Sequence, residues 1–255
     1  MATGIDNEKE YVRIFNSFYT KRKNKDVPTT VVFEETPSKR IVLKNVTKME
    51  RIGQRGLKTD IVVHYQVNGQ LRKYKISIKD HTSIYWGSED RYIRQTLGNE
   101  VRESLKAQAG EGVVVYDARQ RRYKLLAPIG MEVNKRAQTK TIFGVEQLYQ
   151  RTNQNDYQYC DVVIRGEIEE SVMVQKNFKE NILTYEVERI YKDLSDVPDD
   201  ETPVLYIYSN DGKRPRQTFN EVDLNIQEFS GIRGAFRSKK HVEENLGYAG
   251  GIVLL

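Results

Sequence analysis

The chain has one cysteine in 255 residues, Cys160, which excludes an internal disulfide and any cysteine-rich zinc site. Its three histidines, His64, His81 and His241, are scattered, which argues against a histidine-based metal centre. No apolar run approaches the roughly 20 residues that a membrane-spanning helix needs, so no membrane partner is expected. The opening Met1-Ala-Thr-Gly-Ile-Asp-Asn-Glu8 has neither a basic stretch nor an apolar stretch of the secretory type. A reducing, cytoplasmic location is the resulting expectation. The glycines lack phosphate-loop or dinucleotide spacing, no Gly-x-Ser-x-Gly elbow occurs, and no internal repeat is evident.

What is present is an ordinary polar composition, 30% charged and 38% hydrophobic, long enough for one large domain or a core with an appended lobe. The net charge of +5 permits a polyanionic partner without requiring one. Basic residues cluster at Lys21-Arg-Lys-Asn-Lys25, at Arg119-Gln-Arg-Arg122 with Lys124, at Lys135-Arg136 with Lys140, and at Lys213-Arg-Pro-Arg216. Each suits either a phosphate contact or a solvated loop.

Apolar spacing predicts a helix over 6–22, capped by Asp6 or Asn7, then strands over 29–34 and 40–46. A helix is expected over 88–109 and a hairpin over 113–116 and 123–127. Farther on, a short helix at 141–151 and strands at 161–164, 171–174, 182–191 and 203–208 are expected, with 231–251 rich in loops. The pattern describes an α/β protein: a central mixed sheet flanked by helices, with a β-rich C-terminal extension. A soft boundary falls near 128–140.

The most informative stretch is 60–79, where two alternating apolar segments flank Asn68-Gly69, a strong hairpin signal. Asp60 opens the first strand and Lys79 closes the second, so the returning ribbon brings both to one end. A carboxylate beside an ammonium at a sheet edge is a minimal kit for holding a divalent cation against a phosphate.

With Asp60 followed seventeen positions later by Ser77-Ile78-Lys79, the segment resembles the PD-(D/E)XK nuclease superfamily, which includes many type II restriction endonucleases. The resemblance covers about residues 6–110, and the motif lies within 58–80. It implies a restriction-endonuclease-like core over 1–130, with 131–255 a β-rich region for DNA recognition or dimerisation. It further implies a Mg²⁺-dependent DNA endonuclease, with Mn²⁺ as a substitute, acting as a homodimer. Asp60 would be a metal ligand, the Ile78 backbone carbonyl a second, and Lys79 the lysine beside the attacking water. Glu8, on the same helix face as Tyr11, Phe15 and Tyr19, would complete the set, with Glu10 as second choice. Thr59 stands where the pattern has proline, and Ser77 where it has a carboxylate. The serine leaves two readings open: an active site completed by Glu8, or a non-catalytic module for nucleic acid or protein, such as a viral or mobile-element accessory factor.

Downstream, His81, Tyr85 and Trp86 form a loop suited to gripping a nucleic-acid backbone, and Arg91 and Arg94 follow on the expected helix. The alternative for Tyr85 and Trp86 is packing of that helix onto the sheet.

Overall fold

The computed structural model describes residues 4–52, 57–79, 85–87, 98–108, 113–144, 157–168, 170–209, 222–223, 232–246 and 251–254. Helix α1 (Gly4–Lys21) leads into β1 (Thr29–Thr36), β2 (Lys39–Arg51), β3 (Ile61–Val67), β4 (Gln70–Lys79) and β5 (Tyr85–Gly87). Helix α2 (Gly98–Ala107), β6 (Val114–Asp117), β7 (Arg122–Leu125), β8 (Ile129–Glu132) and helix α3 (Lys135–Phe143) follow. Next come β9 (Val162–Arg165), β10 (Met173–Asn177), β11 (Ile182–Glu186), β12 (Arg189–Tyr191) and β13 (Pro203–Ser209). The chain continues with β14 (Val222–Asp223), β15 (Ile232–Ser238), helix α4 (Lys239–Asn245) and β16 (Ile252–Leu254). This is a mixed α/β protein with few helices. None of the described helices is long and apolar enough to cross a membrane.

The chain forms two compact units, each built from two stretches: 1–83 with 143–196, and 84–142 with 197–255. This differs from a sequential division at residue 130. The cause is strand pairing across sequence, since β9 lies parallel to β4 and β11 lies parallel to β1.

In the first unit an eight-stranded sheet runs β10-β11-β1-β2-β3-β4-β9-β12. Four strands from beyond residue 160 therefore extend the sheet begun by β1 to β4. Helix α1 buries Tyr11, Phe15 and Phe18 against Val31, Phe33, Ile61, Ile76 and Tyr185 of the strands. The Phe33 and Tyr185 rings stack at 5.2 Å, and Tyr185 Oη donates to the Tyr11 carbonyl at 2.8 Å.

The sheet does not stay flat. Val187 N donates to the Glu34 carbonyl of β1, and the next residue, Glu188, donates to the Arg165 carbonyl of β9. Those two strands would be about 19 Å apart in a flat sheet, whereas successive Cα atoms are about 3.8 Å apart. The sheet must curl until the ends of β1 and β9 meet. The same seam breaks the expected strand 182–191 into β11 and β12.

The second unit holds a sheet ordered β14-β15-β13-β8-β16, with β5 also pairing to β15, and the separate β6–β7 hairpin. Its core includes Met131, Leu205, Ile207 and Phe236. The segment expected to be loop-rich, 231–251, instead contains β15 and α4, because Ile232–Ser238 pairs with β13 along its whole length. The helix expected at 141–151 lies earlier, at α3, and 145–156 fall outside the described residues, as do 88–97 of the expected 88–109 helix.

The β3–β4 hairpin forms as its sequence requires, with Asn68 at φ 51° and Gly69 at φ 76° and Val67 paired to Gln70. Left-handed backbone at both central positions is the turn that matches strand twist. Gly69→Ala should therefore lower unfolding stability by about 1–2 kcal/mol, read by urea denaturation with circular dichroism. An unchanged midpoint would show that the turn does not hold the hairpin.

Candidate active site at the open end of the β3–β4 hairpin

Antiparallel pairing fixes Ile61 opposite Ile76, so β4 runs three residues past the start of β3. Asp60 fills that vacancy with its side chain. Its carboxylate Oδ2 accepts from Ser77 Oγ at 2.9 Å and from the Ile78 amide at 2.8 Å. No hydrogen bond from a described residue reaches Oδ1. Within a strand the N–H and C=O of one residue face the same edge. The Ile78 carbonyl therefore projects on the side that carries Asp60.

Lys79 comes out at this end too, as the hairpin predicts. It pairs with Arg165 in β9, and its carbonyl accepts from Gly166 N at 2.9 Å. Its ammonium forms no ion pair with a described residue, yet it is the strongest charge opposing protonation of Asp60. The amine thus stands beyond ion-pair distance but within electrostatic reach.

Glu8 reaches the same place from α1. Its Oε2 accepts from Arg51 Nε at 2.6 Å, and no described residue hydrogen-bonds Oε1. Glu8 is half-buried at the border of the apolar face rather than within it. Burial raises its pKa first and the nearby Asp60 charge second, while Arg51 and Lys79 pull it down. Glu10 points elsewhere and pairs with Arg13.

Burial also pushes Asp60 above the usual aspartate range, against the pull of Lys79, the Ile78 amide, Ser77 and Lys58. Ser77 itself is 1% exposed, so its hydroxyl is a fixed part of the wall. Among the described residues no three histidine, cysteine, aspartate or glutamate side chains gather closely enough to hold a metal ion. What is gathered is two carboxylates, each with one uncommitted oxygen, plus a backbone carbonyl. That donor chemistry fits a hard cation that keeps several of its waters.

Four contributors were not legible as site residues. Asn7, expected as a cap, lies inside the helix and is buried: its Nδ2 donates to the Gly166 carbonyl at 3.1 Å, and its Oδ1 accepts from Ile168 N at 3.0 Å. Tyr11 Oη donates to the same carbonyl at 3.2 Å. Together they dock the start of α1, and so Glu8, onto the end of β9. Arg51 is reached only because β2 runs on to residue 51; a bulge between Val46 and Lys48 disrupts the alternation that would have signalled this. Lys58 adds its charge from the segment before β3.

The proposed nucleic-acid loop fares differently. Trp86 is 1% exposed and donates from Nε1 to the Glu201 carbonyl at 2.7 Å, so it is a core residue and has no free face for a base. His81, Arg91, Arg94 and the Tyr85 side chain lie outside the described residues. Cys160 is fully buried, which pushes its thiol up to about 12, as suits an inert core residue.

Comparison with known proteins finds no matching family model, no similar curated protein and no similar solved structure.

Because the folded protein holds the Asp60 proton more tightly than the unfolded chain does, this group's contribution to stability falls as pH rises from about 4 through its raised folded value. Asp60→Asn keeps an oxygen for Ser77 and Ile78 but removes the desolvated charge. At pH 7 the variant should be more stable than wild type without metal, by about 1 kcal/mol, and the gain should shrink as pH drops towards 4. Thermal unfolding across pH tests this, and a destabilised variant would mean that the charge is well solvated.

Proposed function

We propose that the chain is a metal-dependent endonuclease that hydrolyses DNA phosphodiester bonds on a restriction-endonuclease-like scaffold. The observation that carries this reading is the convergence of Asp60, Glu8 and Lys79, with uncommitted Oδ1, Oε1 and ammonium groups, on one end of the sheet. Asp60, Glu8 and the Ile78 carbonyl would hold Mg²⁺, or Mn²⁺ in its place. The bound cation would neutralise phosphate charge and lower the pKa of a coordinated water. Lys79 would orient the attacking water and offset charge on the scissile phosphate. Ser77 would fix the Asp60 carboxylate so that Oδ2 stays in the wall and Oδ1 faces outward. A homodimer would let two such sites cut both strands.

A second reading rests on its own observation. The position usually acidic is Ser77, and Glu8 is already neutralised by Arg51, so each carboxylate has a partner without metal. On that reading the protein is a non-catalytic module that binds nucleic acid or protein.

Incubation with supercoiled DNA in Mg²⁺, Mn²⁺ or EDTA separates the two. The first reading expects nicking in metal only, lost by roughly 100-fold or more in Asp60→Asn and Lys79→Ala. It also expects Mn²⁺ to raise the melting temperature of wild type but not of Asp60→Asn. Ser77→Asp should enlarge that Mn²⁺-dependent rise by supplying a further carboxylate. DNA retention with neither nicking nor a metal-dependent thermal shift would select the second reading.

A further inference from the structure

We propose that the outer face of α1 is a track for the sugar–phosphate backbone of DNA, and that Arg51 joins this track to the carboxylates of Asp60 and Glu8. Its direction, towards Asp60, rests on the hydrolytic reading, whereas the binding surface stands on its own observations.

A groove of about 620 Å³ follows this face and ends at Arg51. Its cations are Lys9, Arg13, Lys21 and Arg51, with Asn16 and Thr20 between them, and no acidic residue lines it. Lys9, Arg13, Asn16 and Thr20 recur at i, i+4, i+7 and i+11, so they form one stripe along the helix. From Lys9 to Lys21 the stripe is about 18 Å long, enough to meet more than one phosphate of a single strand. The exposed Lys21, Lys23 and Lys25 carry positive charge on past the helix end, while Arg22 lies over the Tyr19 ring and donates to the Tyr19 carbonyl. No aromatic side chain lines the groove, so it offers contacts to phosphates and none for stacking bases.

The existing ion pairs do not block this use. Lys9 pairs with Asp6 at 3.1 Å between exposed partners, and Arg13 makes a two-pronged contact with the partly buried Glu10, each one helical turn apart. The Lys9–Asp6 pair is weak and readily exchanged for phosphate, whereas Arg13 would trade its two-pronged contact with Glu10 for an equivalent one with phosphate. Arg51 differs, since it is held by Glu8 in a half-buried setting. A phosphate at Arg51 can take the guanidinium in a two-pronged contact, which frees Glu8 Oε2 beside the already open Oε1. Arrival of the backbone in the groove would therefore prepare the carboxylate for a cation.

The test measures binding of a short fluorescein-labelled duplex, and of the corresponding single strand, by anisotropy in EDTA between about 50 and 200 mM salt. The groove variant is Lys9→Gln, Arg13→Gln and Lys21→Gln together. The charge-matched control is Arg119→Gln, Lys135→Gln and Arg136→Gln, exposed positions of the second unit. The groove variant should bind roughly 10-fold or more weakly and lower the slope of log affinity against log salt by about 2–3, with the control unchanged. Equal losses in both variants, no loss in either, or no binding by wild type would overturn the track. Cleavage by wild type with an unchanged slope in the groove variant discards the track and leaves hydrolysis standing. A lowered slope without cleavage by wild type discards hydrolysis and keeps the track.

Discussion

A partly buried carboxylate at a strand end organises this protein's most distinctive region. Asp60 sits where β3 stops short of the end of β4, and the strand edge exposed there is satisfied by its side chain instead of by another backbone. The arrangement costs folding free energy, because the charged form is desolvated and no ion pair with a described residue offsets it. Proteins retain such costs where an electrostatic task requires them. Ser77 and Ile78 hold one oxygen, and the other stays open.

The second constraint is how α1 is fixed. A helix packed by aromatics alone can slide or rotate by a fraction of a turn without large loss of apolar contact. The two hydrogen bonds of Asn7 and the one from Tyr11, all at Gly166 or Ile168, remove that freedom. Gly166 itself takes φ 145°, and a Cβ there would lie 2.6 Å from Val172. The place where the curled sheet meets itself is thus also where the helix bearing Glu8 is anchored. The seam and the candidate site depend on each other.

Local chemistry made part of this legible. The Asn68-Gly69 turn and the alternation around it place Asp60 and Lys79 at one end without any tertiary information, and α1 shows in the spacing of Tyr11, Phe15 and Phe18. What stayed hidden are features decided by distant partners. Asn7 reads as a cap because asparagine is common there, and only the Gly166 carbonyl reveals its other use. Arg51 lies beyond a bulge that breaks the strand pattern, and Trp86 reads equally as a nucleic-acid contact or a packing residue until its burial and the Glu201 carbonyl decide for packing. The 182–191 run gives no hint of its break, since that comes from curvature of the whole sheet.

The parallel seat of β9 beside β4 has a consequence for how the chain acquires its form. Lys75 and Asp161, which meet there, are 86 residues apart. During synthesis the hairpin emerges long before its neighbour, so one side of β4 waits with unpaired backbone while the next 80 or so residues are made. An early intermediate consisting of α1 and the first four strands would present that raw edge to any extended segment nearby, including the same strand of another nascent copy. Closure by β9 ends this exposure and seats Gly166 in the same step, so the pocket becomes complete only when the aggregation-prone edge disappears.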